Sequence, residues 1–384
     1  MSGKTILILG GGLGGIMAAG NLRRLCGPEH RIVVIERNAT FSLHMANLWL
    51  MTGERRHRAE GERDLSLLAR HGIEWVQAEI HDIDPVAMTV GTSAGTFAGD
   101  YLIIALGAER HPEAVPGFAE AALDLYEPGG ALRIRQALES FESGRVVVLV
   151  ARTPFSCPSA PYEAAFLVDA LLRRRGVRQR CEIAVYTPED LPMPVAGADV
   201  GAALVEMLKD RGIEFHAEQI VMKIDPAARI ARFELEDTKF DLLIGIPPHR
   251  APQTLRTAKL VDASGWVPVD PSTLQTRHPA VYAIGDVASI RLPVGMFLPK
   301  AGVFADEEAR VVSENIAAEI AGKTGSRRFD GRGFCYIETG DDMAAYGAGN
   351  FYGIPAPTIT LEPPSPRYRK EKHELERTAQ ALWL

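Results

Sequence analysis

The sequence predicts an α/β fold of two Rossmann-like, doubly wound units followed by a small C-terminal region. Three observations predict it. An apolar run, Thr5–Leu9, enters a glycine-rich turn and then a helix. A second strand–turn–helix–strand pattern begins at Arg145. The chain has 384 residues, more than the roughly 250–300 at which single hydrophobic cores stop growing.

Taken in order, Thr5–Leu9 reads as a buried strand, Gly10–Gly15 as the turn, Ile16–Leu25 as a helix, and Arg31–Glu36 as a strand ending in an acid. Leu67–Gly72 reads as a helix end, Glu74–Ile80 as a strand, and Met88–Leu106 as several short strands. Pro112, Pro116 and Gly117 punctuate a crossover. In the second unit, Val146–Val150 is a strand, Ala160–Arg175 a helix, Glu182–Tyr186 a strand and Val200–Arg211 a helix. Val281–Ile284 is a late strand and Ala301–Ala321 a long helix. The expected division is 1–112 with 262–322, then 113–261, then 323–384. The last region ends in a charged helical stretch from Arg367, whose apolar residues concentrate in Leu382, Trp383 and Leu384.

Composition narrows the function. Forty-nine acidic residues against 42 basic ones leave a net charge of −7, which argues against nucleic acid as a partner, since phosphate binding draws on surplus Lys and Arg. Four cysteines in so long a chain are no disulfide scaffold, so any that matter will matter chemically. The opening residues carry no secretory pattern, and no apolar run reaches the ~20 residues of a membrane span. The expectation is therefore a cytoplasmic protein, with peripheral membrane contact and a homodimer left open.

Gly10, Gly12 and Gly15 form the spacing G-x-G-x-x-G, with Leu13 and Gly14 between. The first glycine allows a tight turn, the second lets backbone approach a pyrophosphate, and the third packs helix on strand. Glu36 at the next strand end suits a ribose without a 2′-phosphate. Late in the chain, Gly285-Asp286 follows a strand, and in two-domain flavoproteins such an Asp bonds the ribityl chain of FAD. Ala105-Leu106-Gly107 resembles a further flavoprotein segment.

The turn after the second unit's first strand differs. Residues 151–163 carry Pro154, Pro158 and Pro161 and no glycine. Proline lacks the N–H that cradles a pyrophosphate, so this site is read as a degenerate NAD(P)H site. The turn contains Cys157, just before a helix whose field favours a thiolate. Spacing alone does not pair it with Cys335, because free cysteines are commonly small buried residues. Cys26 and Cys181 are read as packing residues.

Together these residues resemble the sulfide:quinone oxidoreductases and the flavoprotein subunit of flavocytochrome c sulfide dehydrogenase, within the FAD-dependent pyridine nucleotide-disulfide oxidoreductases. The stretches that carry the likeness are Cys157-Pro158 through Glu163, Ile246–Pro252, Gly265–Asp270 and Pro299–Gly302. The resemblance implies an FAD enzyme in which Cys157 and Cys335 form a redox pair. Sulfide, or another small sulfur compound, would leave sulfur as polysulfide or on an acceptor, and electrons would pass through FAD to a quinone or another acceptor. It places Arg37, Asn47, Ile80, Lys300 and Gly302 around the cofactor, with Lys300 stabilising the reduced flavin. Glu163 reads equally as a proton carrier and as an acid at a helix start. Tyr336, Tyr346, Phe351 and Tyr352 read as quinone slot or core. A cytochrome-coupled dehydrogenase, a type II NADH dehydrogenase and a flavin–thiol redox sensor are the competing readings.

Overall fold

Alternation along the strands sets the two sheets. In Thr5–Leu9, Ile6 and Ile8 face one core while Leu7 and Leu9 face another. In Gly144–Val150, Val146, Val148 and Val150 likewise oppose Val147 and Leu149. A strand apolar on both faces must be covered on both, which is the condition for a parallel sheet between layers of helix. The computed structural model describes residues 3–381 and shows that arrangement twice.

The first sheet runs Val281–Ala283, Tyr101–Ile104, Thr5–Leu9, Arg31–Glu36, Glu74–Gln77, all parallel. The second runs Leu123–Asp124, Leu242–Ile246, Gly144–Val150, Cys181–Tyr186, Ile213–His216, also parallel. Each unit carries a three-stranded antiparallel ribbon. The strand expected over Glu74–Ile80 stops at Gln77. Ala78 N still donates to Glu36 O, and the chain then leaves the sheet for the ribbon strand Ile80–Asp84. The expected helix end Leu67–Gly72 is a 3₁₀ stretch, Leu65–His71, closed by Gly72 at φ +70°.

The helix Leu13–Leu25 lies against Gly302–Ile320, where Ser313 Oγ donates to Ala18 O at 3.2 Å. Beyond it the C-terminal region forms an antiparallel sheet, Arg332–Gly340, Met343–Asn350 and Thr358–Ser365, and then a helix, Pro366–Ala381. Strand Arg332–Gly340 packs on the helix Ala160–Arg174 of the second unit, which brings residues distant in sequence to one place. The apolar end Leu382–Leu384 lies outside the described residues. Among the described residues, no helix is long and apolar enough to cross a membrane.

Candidate functional site

A cleft of 720 Å³ is lined by Gly11, Gly12, Glu36 and Arg37 at the glycine turn and by Ser156 and Asp286 elsewhere. Gly10 has φ +108°, and a Cβ there would lie 2.3 Å from Ala105 O. A Cβ on Gly15 would lie 2.0 Å from Gly10 O. Around Gly12 a Cβ meets nothing within 4 Å: the cradle is open on the cleft side. The helix that follows has neither a side-chain cap nor an acid in its first turn, so its N–H groups are free to bind an anion. Glu36 Oε2 accepts from Gly11 N at 2.8 Å, and Asn38 N and Nδ2 hold Oε1 at 2.8 and 2.7 Å. These residues fit the pyrophosphate and ribose of FAD.

The second anchor is the Gly285–Asp286 turn. Gly285 adopts φ +70°, and its N donates to buried Glu308 Oε2 at 2.6 Å. Burial pushes Glu308 up to about 8. Asp286 Oδ2 accepts from Ser156 Oγ at 2.5 Å, which ties this turn to the cysteine loop. Lys300, expected beside the flavin, is buried, with its Nζ 3.5 Å over the Trp266 ring and donating to Asp286 O and, at 3.4 Å, Ala288 O. Burial lowers its pKa to about 8. Gly302 starts the long helix, and Gly14 is packed against Ile284 and Ala305 of the same region.

Cys157 sits in the left-handed region at φ +52°, a conformation that costs a residue with a Cβ about 1–3 kcal/mol. Three hydrogen bonds hold it there. Cys157 N donates to Lys300 O at 2.7 Å, and Tyr126 Oη donates to Ser156 O at 2.6 Å and Cys157 O at 3.2 Å. Cys335 reaches the same point from strand Arg332–Gly340. Ser159 Oγ lies 3.3 Å from Cys335 Sγ and 3.8 Å from Cys157 Sγ. All four cysteines are free thiols. The helix field was expected to favour a Cys157 thiolate, but burial, followed by the Glu163 charge, pushes this thiol up to about 12. Burial likewise puts Cys335 at about 11. Desolvation and a nearby carboxylate outweigh the half-charge of a helix end.

Glu163 is buried inside the protein and fully bonded. Its Oε2 accepts from Ser159 Oγ at 3.0 Å, and its Oε1 accepts from Glu338 N at 2.7 Å and from Lys372 Nζ. Lys372 also lies 3.0 Å from Glu338 Oε1, which accepts from Trp49 Nε1 at 2.8 Å. Burial raises the Glu163 pKa. Burial opposes the charge on Lys372, but Glu163 and Glu338 outweigh it and the net shift is upward. The C-terminal helix thus supplies the counter-charge of the thiol site.

The second unit's counterpart of Glu36 is turned inward. Glu189, just after strand Cys181–Tyr186, is buried and accepts from Tyr162 Oη and, at 3.2 Å, from Thr187 Oγ1. Burial brings it to about 7. The turn before the helix Ala160–Arg174 carries Pro154, Pro158 and Pro161, which have no amide to offer a phosphate.

Of the remaining expected residues, Arg37, Ile80, Ala105 and Gly107 line the cleft, and Leu13 begins the first helix. Asn47 is buried, and its Nδ2 donates to Leu125 O at 3.1 Å. Phe351 packs edge-on to Phe304, and half-buried Tyr336 and Tyr346 meet Tyr368 in one aromatic cluster. Ser159, Tyr126, Glu308, Glu338 and Lys372 were not expected. For Lys372 a signal existed: Tyr368, Lys372 and Glu376 recur every four residues and are all buried.

The profile of the family described as pyridine nucleotide-disulphide oxidoreductase matches residues 4–309. The mouse protein named sulfide:quinone oxidoreductase, mitochondrial, is 25% identical over 93% of this chain and 80% of its own length. The Aquifex aeolicus sulfide-quinone reductase is 27% identical over 92% of this chain and 84% of its own. The crystal structure of the sulfide:quinone oxidoreductase of Aquifex aeolicus superposes with a TM-score of 0.89 at 24% identity, covering 99% of this chain and 92% of that one.

Proposed function

Since the chain belongs to the pyridine nucleotide-disulphide oxidoreductase family and is an FAD-dependent oxidoreductase, we propose that it oxidises sulfide to sulfane sulfur through Cys157 and Cys335, with a quinone as final acceptor. One observation carries this reading: two half-buried thiols from distant parts of the chain meet over one hydroxyl, Ser159 Oγ, three residues from Ser156, which lines the cleft and bonds Asp286.

Gly12, the free amides after it, Glu36 and Asp286 would hold the cofactor. When bound, FAD supplies a two-electron acceptor that a second substrate can reoxidise. The protein's part is sulfur chemistry. In the oxidised pair, hydrosulfide attacks one sulfur, the S–S bond breaks, and a persulfide remains on one cysteine while the other leaves as a thiolate. That thiolate forms in a site where burial disfavours charge, and Lys372 is the nearby cation that lowers both thiol pKa values. Glu163 faces the pair through Ser159 and would take the proton of hydrogen sulfide.

The names of the mouse and Aquifex relatives support sulfide and quinone. The inward Glu189 and the proline turn speak against NADH as donor. The test is anaerobic addition of sulfide to the FAD-loaded protein, followed at the flavin absorbance band. Sulfide is expected to bleach the flavin within seconds, Cys335→Ser to abolish bleaching with FAD retained, and decylubiquinone to restore colour faster than cytochrome c. Bleaching by NADH with none by sulfide overturns the proposal.

A further inference from the structure

We propose that Ser159 is a catalytic residue, its hydroxyl carrying the proton between the Cys335 thiol and the Glu163 carboxylate. The reaction it serves is the one proposed above, and the inference rests on that reading.

Ser159 occupies the N-cap position of Ala160–Arg174. A serine there ordinarily turns its oxygen back onto an amide of the first turn. Here its backbone is already helical, at φ −78° and ψ −23°, and its side chain makes no cap bond. The amides of Tyr162 and Glu163 donate instead to Ser159 O, at 3.1 and 3.0 Å. The hydroxyl is thereby free of the helix it begins. It is also sealed from solvent, with the residue 1% exposed.

Its partners are Glu163 Oε2 at 3.0 Å, Cys335 Sγ at 3.3 Å and Cys157 Sγ at 3.8 Å. A hydroxyl has one proton to give and two lone pairs to offer. With Glu163 ionised, and so only an acceptor, the Ser159 proton points at Oε2 and its lone pairs face the sulfurs. Cys335 is the closer sulfur, and its other acceptor, Tyr336 O, is farther away at 3.6 Å. The bonds therefore run S–H to O–H to carboxylate. In the transfer, the Cys335 S–H bond breaks as an O–H bond forms on Ser159. The original Ser159 O–H bond breaks as an O–H bond forms on Glu163 Oε2. Ser159 ends unchanged, Cys335 is a thiolate and Glu163 a neutral acid, and no electron moves.

The surroundings favour such a step. Lys372 and Glu338 N hold Glu163 Oε1, so Oε2 cannot swing away from Ser159. Burial keeps both thiols protonated, so there is a proton to give, and raises the proton affinity of Glu163, so that it can be taken. The charged groups facing the hydroxyl are Glu163 on its own helix, Glu338 from the C-terminal sheet and Lys372 from the terminal helix, and the lysine stabilises whichever side holds the negative charge.

The test uses the full FAD-loaded chain as wild type, Ser159→Ala and Ser159→Thr, reduced with dithiothreitol that is then removed. Cys335 alkylation by iodoacetamide is followed against pH by mass spectrometry, and flavin bleaching by sulfide is followed by stopped flow. Ser159→Ala is expected to move the alkylation profile up by about one pH unit, tenfold less thiolate at a given pH. It is expected to slow bleaching about 10²-fold with FAD content unchanged, and Ser159→Thr to recover most of both. An alanine variant that alkylates and bleaches like wild type overturns the proposal. If the alanine variant loses FAD, the threonine variant decides: wild-type behaviour supports the relay and alanine-like slowness overturns it. If sulfide fails to bleach even the wild type, the sulfide reading falls, and the alkylation profile alone judges Ser159, an unshifted profile overturning its role.

Discussion

Replacing Lys372 with methionine removes the one cation that touches both Glu163 and Glu338. Its Nζ is 3.0 Å from Glu338 Oε1 and is bonded to Glu163 Oε1, with side-chain exposures of 4%, 1% and 1% for the three residues. Methionine fills the space of the lysine stem but leaves Glu163 buried without its counter-charge, while Glu338 keeps Arg369 at 3.7 Å. Breaking such a pair from one side costs about 3–5 kcal/mol. The cost falls on the C-terminal helix, because Lys372 is a main tie between that helix and the body, alongside Glu376 to Arg55 and Arg369 to Glu54. Hydrogen exchange by mass spectrometry over 366–381 reads it directly. At about 1.36 kcal/mol per decade, protection should drop roughly 10²–10⁴-fold at pH 8. The sign with pH also follows. Glu163, already raised by burial, is raised further without the lysine, so at this carboxylate the fold binds a proton more tightly than the unfolded chain. Stability is then recovered as pH falls towards the ordinary carboxylate range and lost as it rises. The variant should be nearest to wild type at about pH 5. Adding Glu163→Gln should return ~1 kcal/mol or more, since one uncompensated charge is gone. Protection within threefold of wild type at pH 8, with no dependence on pH, would refute the reasoning.

Tyr126→Phe should loosen the Cys157 loop, because it strips the 2.6 Å hydrogen bond from Ser156 O, at about 1–3 kcal/mol for a carbonyl left unmet, while Cys157 O keeps its bond from Ala160 N. Iodoacetamide should then label Cys157 faster with FAD still bound, and an unchanged rate removes Tyr126 from the loop's support. Glu308→Gln tests the acid beneath the Gly285 turn. Its folded pKa of about 8 against an ordinary 4.5 means its contribution is fully present below 4.5 and is lost as pH rises towards 8. Glutamine lacks that loss, so the variant should gain on wild type by up to about 4 kcal/mol between pH 5 and 8. Parallel melting curves over that range would show that Glu308 is not buried as an acid.

The fold was largely legible because its signals are local. Two apolar strands, a glycine turn and an acid at a strand end are each written in consecutive residues, and Thr5–Leu9 and Arg31–Glu36 are found with the expected bounds. What was not legible depends on where the chain goes next. Whether Glu74–Ile80 stays in the sheet is decided by a turn after Ala78, not by the apolar character of the run. The C-terminal sheet carries Gly340, Gly347 and Gly349 and two prolines in its strands, which hide its strand pattern and made it read only as a third region.

The site divides along the same line. Glycines and the acid at Glu36 could be assigned because each acts through its own backbone position. Cys157 and Cys335 could be assigned only through a resemblance, since nothing in their spacing says that strand Arg332–Gly340 crosses the helix Ala160–Arg174. The terminal helix is the sharpest case. Its charged composition marked no face for burial, whereas Lys372 and Glu376 are 3% and 4% exposed. A helix is usually docked by an apolar stripe; this one is docked by a charged stripe, every fourth residue, onto partners of opposite sign that other elements bury beforehand. Such a stripe would be ruinous on a free helix packed against hydrocarbon, because a buried charge is tolerated only when it is paired. An apolar pair would dock the helix as well or better; under the proposed reaction the charged set would in addition offer the two thiols a base to take a proton and a cation to steady the thiolate.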